Sequence, residues 1–302
     1  MEAARLGSGD GLPRAVLAKP AMRLPFTKMH GIGNDYVYVN AFEVAVPDPA
    51  EVARRVSPRH TGIGADGLIL ICPSTTADAR MEMYNADGSR GEMCGNGIRC
   101  VGKFVHDHGI ARKSQLAIDT DAGIKMLDLE VEGGLARRIR VDMGPPALEP
   151  AAVPVVAEGP LIDAPFVVAD RTYQVTCVSM GNPHCVLWVP RSADAPVHTL
   201  GPRIEHDPRF PRRTNVEFVE VLGAAPAARL RMRVWERGSG ETAACGTGAC
   251  AVAVAAVLTG RGQRQIVVEL LGGELAIEWR ESDGHVLMTG AAEEVFHGEI
   301  EL

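Results

Sequence analysis

Residues 93 to 100 read "MCGNGIRC", two cysteines framing two glycines, and the pattern Cys94-Gly95-Asn96-Gly97 returns 151 residues later as Cys245-Gly246-Thr247-Gly248. In both copies an apolar run follows. The first N–H groups of a helix have no internal partner, and the helix dipole adds partial positive charge there. A thiolate at such a mouth is stabilised, so its pKa is expected to fall below the ~8.5 of a free thiol. Glycines beside it let the backbone approach a ligand, and free N–H groups hold a carboxylate. Two such turns facing each other place a base and an acid on opposite sides of one bound molecule. That suits stereoinversion at the α-carbon of an amino acid: one thiolate removes the α-proton and the opposed thiol returns a proton to the other face. The N–H groups of both helices would meet the enolate-like charge.

Other uses of the cysteines have weaker support. A buried cysteine beside glycines is most often a small hydrophobe, but duplication at one offset argues against that. Cys100 and Cys250 read as core-facing helix residues, and Cys72, Cys177 and Cys185 as strand packing. The spacings Cys94-x5-Cys100 and Cys245-x4-Cys250 are not zinc knuckles, and no His-x3-5-His pair accompanies them, so no metal is expected. Gly97 to Phe104 nearly matches a phosphate-binding loop, but Phe104 replaces the Ser/Thr and the match begins inside a helix. A catalytic disulfide lacks a C-x-x-C motif. A reversible Cys94–Cys245 bridge would inactivate the protein.

The elements that must position these residues are mostly short strands between Gly/Pro/Asp turns, among them Tyr36–Asn40, Leu68–Ile71, Met81–Tyr84, Lys125–Glu132, Cys185–Val189, Val216–Val221, Leu230–Trp235 and His285–Met288. The two clearest helices follow the CGxG turns, at Ile98–His106 and Ala249–Leu258, the second stopping at Gly260. The offset that relates the two turns also carries Met81 to Met232, Tyr84 to Trp235 and Asn85 to Glu236, and "GIGNDYVYV" is echoed by "MGNPHCVLWV". This predicts an α+β protein of two pseudo-symmetric domains. Residues 1–21 read as a flexible extension, with Met22 a possible start; the domains are expected at 22–143 and 144–289, divided near Gly144-Pro145-Pro146. With 302 residues, net charge −7 and pI about 5.7, the chain has no general basic face for nucleic acid. Its longest apolar run, Ala249 to Leu258, is too short to span a membrane. Seven cysteines and no secretory signal point to reduced thiols in a cytoplasm.

The stretches "FTKMHGIGNDYVYVN", "RHTGIGADGLIL", "YNADGSRGEMCGNGIRC", "VSMGNPHCV" and "ERGSGETAACGTGA", in this order from Phe26 to Ala249, resemble the diaminopimelate epimerase family, as does the ending "EEVFHGEIEL". The resemblance implies a cofactor-independent epimerase that interconverts LL- and meso-diaminopimelate on the route to lysine and cell-wall precursors. It also implies a curved, mostly antiparallel sheet wrapped around a central helix in each domain, residues 290–302 returning to the first domain, and a homodimer. By motif, Cys94 and Cys245 would be the acid/base pair, and Gly95, Asn96, Gly246 and Thr247 would bind the reacting end of the substrate. Asn34, Asn85, Asn182, Asn215, Glu236 and Arg237 would hold the substrate, largely its distal amino-acid group. His184 and Glu236 would tune the cysteine pKa values. Outside the resemblance, Asn34, Asn182 and Asn215 read equally as turn asparagines, Glu236-Arg237 as a solvated pair and His184 as a core histidine. His30, Arg59, His60 and Asp66 are expected to be structural. Gly67 stands where some members have a glutamine that meets substrate, and Phe296 where some have a tyrosine at the dimer contact. The competing readings are a proline-, hydroxyproline- or histidine-type racemase of the same superfamily and a non-catalytic thiol-pair binding protein. Proline-type members tend toward "MCGHG" and "SPCGTG", which this chain lacks.

Overall fold

The computed structural model describes residues 23–302; the expected extension at 1–21 and Met22 lie outside the described residues. The first half carries β1 (Arg23–Gly31), β2 (Asn34–Asn40), α1 (Pro49–Val56), β3 (Gly67–Cys72), β4 (Ala79–Asn85), β5 (Arg90–Gly91), α2 (Gly95–Asp107), β6 (Gln115–Asp119), β7 (Lys125–Glu132) and β8 (Leu135–Asp142). The second carries β9 (Ala164–Val168), β10 (Arg171–Ser179), β11 (Pro183–Trp188), α3 (Val197–Glu205), β12 (Asn215–Leu222), β13 (Ala227–Glu236), β14 (Gly240–Glu241), α4 (Gly246–Leu258), β15 (Gly262–Leu270), β16 (Gly273–Trp279), β17 (Val286–Ala291) and β18 (Glu293–Glu301).

The two halves repeat one wiring diagram. In the first, β2 and β3 pair in parallel, as do β4 and β6, while β1–β2, β3–β4, β6–β7 and β7–β8 are antiparallel. The second reproduces this with parallel β11–β12 and β13–β15 and antiparallel β10–β11, β12–β13, β15–β16 and β16–β17. β9 extends the second set beside β10, and β18 extends the first beside β1, so the last strand crosses back to where the chain began. β8 pairs with β17 and joins both sets into one sheet.

Each half closes around its long helix. α2 touches β1, β2, β3, β4, β6, β7 and β8, and α4 touches β10, β11, β12, β15, β16 and β17. The sequence of α4 explains this: "GTGACAVAVAAVL" is apolar all round, which suits a helix with no solvent face, and Ala249 to Ala256 are buried throughout. Its alanines and valines keep the helix thin enough for a sheet to wrap it. Cys100 and Cys250 lie in this core, Cys177 and Cys185 in a separate cluster with Phe166, Leu200 and Phe218, and Cys72 is half-buried.

The expected helices at 98–106 and 249–258 begin three residues earlier than read, because the glycines after each cysteine form the first helical turn rather than a loop before it. Gly97 to Phe104 therefore lie within α2, where Lys103 bonds Asp107 at 2.7 Å and the Ala136 carbonyl at 2.8 Å. The short helices α1 and α3, of 8 and 9 residues, went unread, since so few turns give little periodicity. α1 does carry local signals: Pro49 at its first position and an Asp48 side chain that accepts the Glu51 N–H at 3.1 Å.

Ala253 is 1% exposed inside this sleeve. Ala253→Leu is expected to destabilise the fold by about 1–3 kcal/mol through overpacking, read from the urea midpoint.

Candidate active site

Cys94 and Cys245 are the N-cap residues of α2 and α4, with nearly the same backbone: φ −126°, ψ 121° and φ −125°, ψ 104°. The helices run from 95 to 107 and from 246 to 258, the same 151-residue offset as the motifs. Their N-termini meet on one side chain. A Cβ added at Gly95 would lie 2.9 Å from Met288 Cε, and one added at Gly246 would lie 3.0 Å from Met288 Sδ. Glycine at both positions lets each helix start close to this methionine of β17. Asn96 completes the junction: its Nδ2 donates to the carbonyl of Ala244 in the other half at 3.3 Å and to Asn34 Oδ1 at 3.4 Å.

Around Cys94, the thiol donates to Asn34 Oδ1 at 3.3 Å and its sulfur accepts the Gly97 N–H at 3.4 Å. Asn34, at the start of β2, is held in turn by Asp66, whose Oδ2 accepts its Nδ2 at 2.7 Å. Around Cys245, Thr247 Oγ1 lies 3.7 Å from the sulfur and accepts Asn182 Nδ2 at 3.3 Å. Asn182 Oδ1 faces His184 Nε2 at 3.0 Å, and His184 Nδ1 meets Glu217 Oε1 at 2.6 Å. His184, Glu217 and Cys245 are all buried, with polar atoms within 4.8 Å of one another. Glu236 accepts the Thr242 hydroxyl.

The remaining site residues expected from sequence are placed less centrally. Asn215 braces the strand ends, donating to the Pro183 carbonyl at 2.9 Å and accepting the Arg237 N–H at 2.9 Å. Arg237 is exposed and its guanidinium donates to the Arg212 carbonyl at 3.1 Å, so it forms no pair with Glu236. Asn85, at the end of β4, donates to Ser89 Oγ at 2.9 Å and touches neither cysteine. At Gly67 a Cβ would lie 2.1 Å from the Tyr84 carbonyl, so no side chain fits there. Phe296 is 45% exposed and packs edge-on to Phe26. A groove of about 380 Å³ lined by Arg140, Gln265, Ile277, Glu278, Leu287 and Thr289 lies apart from all these residues.

The expectation of low thiol pKa values is overturned. Burial pushes the Cys94 thiol up, against the pull of the Gly97 and Asn96 N–H groups. Burial pushes Cys245 well above the ordinary thiol range, reinforced by the carboxylates of Glu236 and Glu217. Helix N-termini favour a thiolate, but here they act in a closed interior where removing water from the charge costs more. Burial also raises the Glu236 carboxyl.

Sequence reasoning missed Glu217 and Arg99, both fully buried. The signals were present: Glu217 shares the inward face of "NVEFVEV" with Asn215 and Val219, and Arg99 interrupts an apolar helix. A charge on a core face points to a paired or functional group.

Residues 26–149 and 176–295 match the family model described as diaminopimelate epimerase. The chain belongs to the diaminopimelate epimerase family. A diaminopimelate epimerase of Moorella thermoacetica is 55% identical over 279 residues, covering 92% of this chain and 99% of that one. One of Acetivibrio thermocellus is 54% identical over 278 residues, covering 92% and 98%. Among solved structures, a PhzF-family phenazine biosynthesis protein of Bacillus anthracis matches with TM-score 0.68 at 16% identity, over 93% of this chain and 100% of that one. A probable proline racemase of Agrobacterium radiobacter matches with TM-score 0.67 at 17% identity, over 92% and 93%. At these identities the two structures share the fold alone, whereas the epimerase relatives match nearly end to end.

Thiolate is the form that reacts with an alkylating agent. Cys94 is half-buried and Cys245 only 4% exposed, so iodoacetamide is expected to label Cys94 first, with a rate still rising above pH ~8.5. Peptide mass spectrometry across pH reads both the order and the slope.

Proposed function

We propose that this chain epimerises diaminopimelate between its LL and meso forms with two cysteine thiols and no cofactor, in the biosynthesis of lysine and cell-wall precursors. The observation that supports the reading is the meeting of the two helix N-termini, whose N-cap residues are Cys94 and Cys245, at Met288 and the Asn96–Ala244 bond. In each turnover one sulfur, as thiolate, takes the α-proton. The other, as thiol, delivers its proton to the opposite face of the α-carbon. The C–H bond broken and the C–H bond formed involve the same carbon, and the sulfurs exchange protonation states. Meanwhile the free N–H groups of Gly95, Asn96, Gly246 and Thr247 are the donors suited to the substrate carboxylate as it becomes enolate-like.

The raised thiol pKa values fit this division. A substrate that brings its own ammonium group sets a positive charge beside the sulfur, which favours thiolate and offsets part of what burial costs it. His184 and Glu236, both near Cys245, are the groups placed to tune it. In this reading Asn34, Asn182 and Asn215 would hold the substrate, and Asn85 and Arg237 would turn from Ser89 and Arg212 to meet its distal amino-acid end. No described helix is long and apolar enough to cross a membrane. All seven cysteines are free, which suits a reducing cytoplasm. A homodimer through the β18 face would cover Val295 and Phe296, which are 55% and 45% exposed.

Purified protein with neither pyridoxal phosphate nor metal added is expected to convert LL- to meso-diaminopimelate, resolved by chiral chromatography. Cys94→Ala and Cys245→Ala should each lower kcat by at least roughly 10²–10⁴-fold with the fold intact. Full activity in either variant contradicts the reading, and faster turnover of proline or histidine would move the assignment to another racemase. Sedimentation velocity should give twice the chain mass, and Phe296→Asp should shift it toward the monomer.

A further inference from the structure

Among the described residues, Arg99 is the largest side chain with no exposed surface. It lies in the second turn of α2, among Ile98, Cys100 and Val101, at a position where the second copy has Cys250. Its guanidinium donates to the Gly95 carbonyl at 3.1 Å, to Asn96 Oδ1 at 3.0 Å and to the Ala291 carbonyl at 3.2 Å, with Met288 Sδ at 3.7 Å. The fork is slotted between two glycine backbones: a Cβ at Gly31 would lie 2.9 Å from its Nη2, and one at Gly290 would lie 3.1 Å from its Nε. Among the described residues it forms no ion pair with a carboxylate. A guanidinium taken out of water without an anion is costly, so an interior that keeps one has a use for the charge.

The bonds say what that use is. An amide side chain can be turned either way, and Arg99 has only donors to offer. By occupying Asn96 Oδ1 it forces Asn96 Nδ2 toward Asn34 Oδ1 on the Cys94 side and the Ala244 carbonyl, the bond that ties the Cys94 end to the Cys245 end. The charge is also lopsided. Cys245 faces Glu236, Glu217 and the His184 ring paired to Glu217, whereas Cys94 faces Tyr36 and Tyr38 of β2, Cys100 of its own helix, Glu236 of β13 and this guanidinium.

We propose that Arg99 is a positioning residue of the site: its fork fixes the Asn96 amide across the two halves, and its permanent charge serves the Cys94 end of the helix junction. This rests on the two-thiol reading above. The counterpart of Arg99 in the second half is Cys250, so two turns with nearly the same backbone become unequal acids.

The test uses the substrate-free protein, so that it does not depend on turnover. Iodoacetamide labelling of Cys94 and Cys245 is followed against pH by peptide mass spectrometry in wild type, Arg99→Met and Arg99→Lys. In folded Arg99→Met the Cys94 midpoint is expected to rise by at least about one pH unit, with the Cys245 midpoint unmoved. Arg99→Lys keeps the charge without the fork, so its Cys94 midpoint should stay near wild type while kcat for epimerisation falls roughly tenfold or more at similar KM. An unmoved Cys94 midpoint in Arg99→Met, or an equal shift at both cysteines, overturns the proposal. Should Arg99→Met fail to fold, Arg99→Lys decides: wild-type kcat there overturns it and the selective loss of kcat supports it. Failure of the epimerase reading shows elsewhere, as a wild-type protein that does not turn over diaminopimelate.

Discussion

Two helix N-termini are pressed together at the centre of this molecule, and electrostatics alone would push them apart. Each carries partial positive charge and unpaired N–H groups. α2 and α4 nevertheless begin within contact of the same methionine, Met288, and are laced by the Asn96–Ala244 bond. Such a junction is satisfied only by negative charge. At the α2 mouth the Cys94 sulfur accepts the Gly97 N–H. In the proposed reaction, a substrate carboxylate on its way to an enolate would meet the N–H groups of both mouths. The rest of the fold follows from holding that junction: each sheet wraps one helix so closely that it cannot withdraw, and β8–β17 clamps the sheets to each other.

Closing the sheets around the helices explains both the chemistry and its difficulty. Burial raises the pKa of both thiols, and in the proposed reaction the same burial would keep water from the carbanion. The neighbourhoods of the sulfurs then differentiate them. Cys94 is linked to Asn34 and Asp66 and lies near Arg99, while Cys245 is linked through Thr247 and Asn182 to the His184–Glu217 pair. A duplicated backbone thus carries unequal side chains.

Much of this was legible in the sequence, for identifiable reasons. The repeat of CGxG with its flanking strand is a local pattern, and local patterns survive without a structure. The apolar run of α4 announced a helix with no solvent face. Glu217 and Arg99 were harder to read because each depends on a partner distant in the chain: Glu217 is 33 residues from His184, and Arg99 reaches Ala291 across 192. The level of the thiol pKa values was misread for a related reason. A helix N-terminus is visible in sequence, but the depth at which it is buried is set by the whole sheet. Asn85 and Arg237 are legible as motif positions, yet their side chains turn to Ser89 and Arg212 in this state.

The central claim is that two different sulfurs serve the two faces of one α-carbon, and isotope transfer tests it most directly. LL-diaminopimelate incubated with the protein in D2O is sampled at low conversion by mass spectrometry and NMR. Two thiols predict that the meso product carries deuterium at the inverted carbon while recovered LL substrate remains protiated. Product that retains the original hydrogen would mean a single group working both faces, and would contradict the account.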